Sequence, residues 1–432
     1  MTGRFAQVAI AFSIFISSYV FFKTPFEGYA SYLVMLLFFP AYLARLPFPK
    51  EVILVFSPPL VAGILSIQSG DNEWGLFFKI FLGFFSSVLF YRYVFDAFEK
   101  DVEKLFGIYM TGAAIASYIG FIQVLSYFIG FEPGYNYRWI FNKWSLSLGG
   151  TGVRMNSVFS EPAYFAGVIG PAFFIAINNL ITRDYKFISR RASWVIALAY
   201  PLTFSTLGFM SMAITAVLLL VNYGFIRYAI LVGPLVYFGY TYAYENIPEF
   251  RQRIDGTQVA FSDGDPKDLN NVHGSSFVLY NNYVITMENF KRNPVFGTGL
   301  GSHPVAFDRY SLTNMAGILK IDFNKADANS MFLRLLSETG LYGVSVMLIL
   351  IFRNFLTRQR SANDTNWLIS NSVLVVIVVY LARQGHYFIN GFPFFIWMYY
   401  FVRKQNTAQV NAIREAETAE HIAEQKRLAA AP

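Results

Sequence analysis

The chain has no cysteine. That excludes thiolate catalysis, iron–sulfur clusters and disulfide cross-links, and says nothing of the redox compartment. Charge is scarce: Asp, Glu, Lys and Arg make up 14% of the 432 residues, against about a quarter in soluble domains. Histidine occurs four times, at 273, 303, 386 and 421, with no metal-ligand spacing. No H-E-x-x-H, G-x-S-x-G or calcium-loop pattern is present, so no resident metal or cofactor is expected. What fills the chain is apolar. Hydrophobic residues are 55% of it, with 47 Phe and 28 Tyr, and mean hydropathy is +0.41. A soluble fold of this length has too little interior for so much apolar surface. Lipid is therefore the expected solvent, and a cytosolic enzyme, a disordered chain and a disulfide scaffold are excluded. The net charge of +7 fits basic residues at the ends of membrane spans as well as it fits nucleic acid.

Apolar runs separated by short charged or turn-rich breaks predict an all-α polytopic membrane protein of about twelve transmembrane helices. They fall near 5–22, 29–46, 52–68, 75–91, 105–131, 161–182, 192–206, 209–225, 228–244, 329–352, 367–382 and 391–402. With the N-terminus placed inside, 19 Lys and Arg fall in cytoplasmic segments and 15 outside, nine of the latter between Arg251 and Arg334 in or beside one long loop. Long loops do not count in the positive-inside rule, so the short-loop comparison is 19 to 6 and both termini are expected in the cytoplasm. The first span lacks a small-residue cleavage site and reads as an anchor. Two outer loops stand out: 132–160, and 245–328 between spans nine and ten, too long for a mere connector. The second begins polar (251–268) and continues with a helical stretch at 275–293, expected on the membrane surface. Residues 1–404 form the membrane domain; 405–432 read as a charged cytoplasmic helix.

Candidate chemistry gathers at the predicted outer ends. In RMNSVFSEPAYFA (154–166), Pro162 suits the first turn of a helix and Glu161 its positive end. Glu161 is either a helix cap or a carboxylate facing a wet cavity at the membrane boundary. The segment NPVFGTGLGSH (293–303) is either a tight turn or a nest of backbone N–H groups for a lipid-linked phosphate. DANSMFLRLLSETGLYG (327–343) sets Arg334 and Glu338 four apart on one helical face, with Asp327 seven before Arg334. Arg383 to Tyr387 end the eleventh span, as interfacial anchors or as part of an outer cavity. The outer arginines Arg138, Arg154, Arg251, Arg253, Arg292, Arg309, Arg334 and Arg383 run against the positive-inside trend, and Arg suits bidentate recognition of phosphate.

The Arg154…Ser160-Glu161-Pro162 segment, the Asn293-Pro…Gly297-Thr-Gly299-Leu-Gly301 turn and the Asn329…Glu338-Thr-Gly340-Leu-Tyr-Gly343 helix, in this order around one large loop, resemble the O-antigen polymerase and ligase superfamily of membrane glycosyltransferases. Thr203-Phe-Ser205-Thr-Leu-Gly208 adds a fourth match, and together they run over roughly residues 120–400. The resemblance implies a bacterial inner-membrane enzyme acting at the periplasmic face. Its donor would be an undecaprenyl-diphosphate-linked oligosaccharide, whose diphosphate leaves as an acceptor hydroxyl attacks the anomeric carbon, with no nucleotide sugar. A chain-length regulator and a flippase of the same pathway are possible partners. Ligases of this kind usually carry His-Asn where this chain has Ala328-Asn329, which favours the polymerase over the ligase that moves polymer to lipid A core. A flippase or transporter is the reading from another class, disfavoured because the polar candidates sit at span ends.

On this reading Glu161 is the expected base and Asp327 the runner-up, with Arg154 beside the reacting centre. Arg138, Arg251, Arg253, Arg292, Arg334, Glu338, Arg383, His303 and Tyr387 are expected to contact the substrate, and the Arg334–Glu338 pair also to hold the helix geometry.

Overall fold

The computed structural model describes residues 3–16, 18–22, 28–44, 49–149, 152–224, 229–246, 248–261, 274–312 and 322–429. The chain is 76% helix. Among the described residues six helices are long and apolar enough to cross a membrane: α3 (Lys50–Gln68), α4 (Trp74–Ala97), α5 (Val102–Phe128), α7 (Pro162–Thr182), α14 (Met331–Asn354) and α15 (Asp364–Arg383). The other predicted spans are also helical, but shorter or more polar. They are α1 (Gly3–Ile14), α2 (Ala30–Leu43), α8 (Arg190–Ala199), α9 (Thr206–Asn222), α10 (Ala229–Asn246) and α16 (Phe392–Ala429).

The ten residues of α8 cover about 15 Å, half the hydrocarbon thickness. A 3-10 turn, Pro201–Thr203, carries the chain on. The passage starts beside Asn179, near the end of α7, whose amide bonds the Lys186 carbonyl and the Ser193 hydroxyl. It ends near the start of α7, where Tyr200 donates to the Ala166 carbonyl and stacks on Phe173. The sequence shows one apolar run; proline at 201 ends its α-helical part.

Helices α7 and α15 form the centre, each with most of its residues buried, and α5, α9, α14 and α16 pack around them. Two ends of the bundle are thereby defined. At one end Asn222 of α9 accepts the Arg358 N–H and bonds Asn371 of α15, while Glu51 of α3 accepts from Tyr400 of α16. At the opposite end lie the starts of α2, α4, α7, α9 and α14 and the end of α15, with the small α6 (Glu132–Tyr135) and the hairpin of β1 (Leu148–Gly149) and β2 (Gly152–Val153).

Between α10 and α14 stand α11 (Pro248–Phe261), α12 (Gly274–Arg292) and α13 (His303–Tyr310). The helix expected at 275–293 is α12. It is no isolated surface helix: Asn281, Asn282, Ile285, Thr286 and Asn289 are buried against its neighbours. Much of the polar run expected after Arg253, from Asp263 to Asp268, lies outside the described residues. The charged tail is helical and exposed: α16 runs unbroken from the bundle into it.

Candidate functional site

The glycine-rich segment 293–301 and α14 form one structure. Helix α14 is broken at Gly340, with φ 58° and ψ −153°. A break leaves helical carbonyls and amides without partners, which lipid cannot supply. The turn supplies them. The Thr298 and Gly299 N–H groups donate to the Ser337 and Glu338 carbonyls, and the Leu341 and Tyr342 N–H groups donate to the Pro294 and Val295 carbonyls. The approach is so close that a Cβ at Gly297 (φ +63°) would meet the Glu338 carbonyl carbon at 2.4 Å. The turn is seated in addition on the α3–α4 junction, where the Asn72 amide donates to the Thr298 and Leu300 carbonyls. Its backbone donors at 298 and 299 are thus committed to α14, and the phosphate nest expected at 293–303 is not formed.

A second pair of sequence segments meets in the same way. Arg154 donates through Nε to the Thr203 carbonyl and through Nη2 to that of Phe204, at 3.3 and 2.9 Å. It clips the β2 strand to the turn before α9.

At the α7-start end of the bundle a cavity of about 910 Å³ opens between α2, α4, the start of α7 and the segments 322–327 and 386–390. Its two ends differ in chemistry. One is polar and holds Lys143, Glu161, Asp322, Asp327, Arg334 and His386, whose charges act on one another; Lys79 also lines the cavity, but on α4 beside Phe78. The other is apolar, walled by Leu36 and Phe39 of α2 and Phe78 and Leu82 of α4. All four of these side chains are exposed. From Tyr29 to Tyr42 this wall follows about 20 Å of α2.

Glu161 is the N-cap residue of α7, yet its carboxylate makes no cap bond and faces the cavity. Burial holds it above the ordinary carboxylate range; the negative charge of Asp327 adds to this, and Lys143 and Arg154 oppose it. Asp327 Oδ1 accepts from Asn324 Nδ2 at 3.0 Å and from the Asn329 N–H at 3.1 Å. Its Oδ2 lies 3.2 Å from His386 Nε2. Lys143 donates to the Tyr29 hydroxyl at 2.8 Å.

Beneath the polar end lies a buried ion pair. Arg334 Nε stands 2.9 Å from Glu338 Oε1, with side-chain exposures of 2% and 0%. Arg334 Nη1 donates to the Gly385 carbonyl at 2.9 Å, and the guanidinium lies 4.5 Å over the Tyr387 ring. The Tyr387 hydroxyl donates to Glu338 Oε2 at 3.0 Å. Arg334 Nη2, however, has no hydrogen-bond partner among the described residues, although Arg334 lines the cavity. A buried guanidinium N–H without a partner is costly and is an open position for an anion.

Of the residues expected at the site, Glu161, Asp327 and Arg334 line the cavity, with Glu338 and Tyr387 directly supporting Arg334. The wider arginine cluster does not form. Arg138 is exposed on the turn Tyr137–Trp139. Arg251 pairs with Asp255 on α11 and lies over Tyr244. Arg292 donates to the Tyr310 hydroxyl, and Arg309 binds Asp71. Arg383 ends α15 half-buried, away from the cavity lining. The side chain of Arg253 lies outside the described residues. Arg154, Arg251, Arg292 and Arg309 thus have nearer partners in local structure. His303 is also structural: fully buried, its Nε2 lies 2.9 Å from Asn282 Oδ1. Burial, with the nearby positive charge of Arg334, pushes its pKa down to about 3.

Four Lys, Asp and His residues of the cavity were not among the candidates from the sequence: Lys79, Lys143, Asp322 and His386. Lys79 alone carries a signal in the sequence, as one cation inside an otherwise apolar span. Among the described residues no group of three or more His, Asp or Glu side chains stands ready to hold a metal ion. No family model matches the chain, and no curated protein matches it.

Proposed function

We propose that the protein is a membrane glycosyltransferase that joins undecaprenyl-diphosphate-linked oligosaccharide repeat units into a surface polysaccharide. One observation carries this reading: a single cavity lined both by a cluster of charged groups, Lys143, Glu161, Asp327, Arg334 and His386, and by apolar side chains of α2 and α4. An amphiphile with an anionic headgroup and a long hydrocarbon tail fits that division. The tail would lie between α2 and α4, and the diphosphate beside the open Nη2 of Arg334 with Lys143 near it. Glu161, whose carboxylate has no hydrogen-bond partner among the described residues, would accept hydrogen bonds from sugar hydroxyls. The segment resemblance supports the same chemistry, and Ala328 in place of a histidine favours polymerase over ligase. On this reading α1–α5, α7–α10 and α14–α16 make twelve passages, with the cavity and the 245–328 segment on the periplasmic side and both termini in the cytoplasm.

Deleting the gene and resolving surface glycans by gel electrophoresis tests the reading. A single repeat unit left on its acceptor is the expected result. Polymer that accumulates on its lipid carrier without reaching lipid A core would make the protein a ligase. Repeat units trapped at the cytoplasmic face would make it a flippase.

A further inference from the structure

The segments 322–329 and 384–390 meet at the polar end of the cavity. A Cβ at Gly385 would stand 1.5 Å from the Asp327 carbonyl oxygen, so only glycine lets the two backbones approach this far. That approach sets the imidazole of His386 against Asp327. The carboxylate is held on both sides: Oδ1 by Asn324 and the Asn329 N–H, Oδ2 beside His386 Nε2 at 3.2 Å. Asn329 and the preceding Ala328 adopt left-handed backbone, φ 56° and 58°, which turns the Asn329 N–H back onto Asp327. His386 lines the cavity and is a quarter exposed to it.

Within the glycosyl-transfer reading proposed above, on which this inference rests, we propose that His386 is the proton acceptor and that Asp327 is a positioning residue for its ring. With the Asp327 carboxylate 3.2 Å from Nε2, the proton belongs on that nitrogen and the basic lone pair on Nδ1, for which no hydrogen-bond partner occurs among the described residues. Burial holds His386 below its usual pKa; Arg334 and Lys143 act in the same direction, and Asp327 and Asp322 oppose them. The ring is then neutral at neutral pH, as a base must be. Tyr164 stands across from it, ring centroids 6.4 Å apart, and Glu161 faces the same space without an orienting partner. In the step itself the acceptor O–H bond breaks and its proton moves to Nδ1. The oxygen bonds to the anomeric carbon, and the bond from that carbon to the diphosphate oxygen breaks. Its electron pair leaves on the diphosphate, beside Arg334, while Asp327 balances the imidazolium.

The test uses the full-length protein in proteoliposomes, with polyisoprenyl-diphosphate-linked repeat units extracted from cells that carry the gene. H386Q, D327N and E161Q are compared with wild type, each checked for folding by size exclusion. Wild type is expected to lengthen the glycan, with an acidic limb below pH 6.5 in kcat/KM. H386Q is expected to lose about 10²–10⁴-fold in kcat at little change in KM, and to lose the limb. D327N is expected to keep a limb, shifted to lower pH, because the neighbouring carboxylate no longer supports the imidazolium. E161Q is expected to keep the limb and raise KM. If wild type lengthens chains and H386Q matches its kcat and pH profile, the role of His386 is overturned and glycosyl transfer stands. Should H386Q fail to fold, an unshifted limb in D327N overturns it equally. A wild type that leaves the donor intact removes the reading beneath and this inference with it.

Discussion

At the scale of single residues, the pair under the cavity shows how a buried charge is retained. Arg334 and Glu338 are four apart on α14 and both inaccessible, so each is the other's main compensation. Removing one leaves an uncompensated charge in a dry place, which costs about 3–5 kcal/mol. R334M is therefore expected to lower the thermal midpoint in detergent sharply, and R334M/E338M less than R334M alone. An equal or larger fall in the double variant would show that the pair is not coupled. The Arg–Glu spacing was legible in the sequence because helical periodicity is local. His386 was not, since its partner is 59 positions away and nothing in Gln-Gly-His announces a carboxylate. The arginine cluster was over-read for the opposite reason. A shared predicted side says nothing about convergence, and Arg251, Arg292 and Arg309 find Asp255, Tyr310 and Asp71 much nearer.

At the scale of elements, the long apolar runs marked helices correctly, because burying backbone in lipid leaves few alternatives. Their lengths were less legible: α8 gives way to a 3-10 turn inside what reads as one span. The two glycine-bearing segments at 293–301 and 338–343 read as separate features, and their sequences hold no trace that each satisfies the other. Gly297 joins them, and G297A is expected to strain the left-handed turn and drive a methyl into the α14 backbone. It should reduce the folded yield and lower the thermal midpoint well beyond the effect of G130A. Gly130 has a similar φ of +72° with nothing within 4 Å of a Cβ, so it reports the backbone term alone, about 1–2 kcal/mol. Equal effects at the two positions would show that the contact with Glu338 is unimportant.

At the scale of the whole molecule, the cavity's apolar wall belongs to two helices, α2 and α4, and its polar end is assembled from four separate stretches of chain. Composition forecast the lipid-facing character of the first; no local pattern forecast the second. The division predicts a dependence on tail length. Leu82→Asp places a carboxylate among Leu36, Phe39 and Phe78, which is unfavourable by roughly 2–3 kcal/mol at membrane depth. It should raise KM for a full-length polyisoprenyl donor by about tenfold or more, while a donor with a short alkyl tail is used as by wild type. A uniform loss with both donors would mean that the tail does not lie there.

The seam between the 293–301 turn and the interrupted α14 also constrains biogenesis. The turn leaves the ribosome before α14, and its seat on the α3–α4 junction is already in place by then. When α14 arrives, four backbone groups around Gly340 need partners that no lipid offers. Lateral release of this helix into the bilayer is thus coupled to capture by a segment made some forty residues earlier, and the polar end of the cavity becomes complete only when that late closure has occurred.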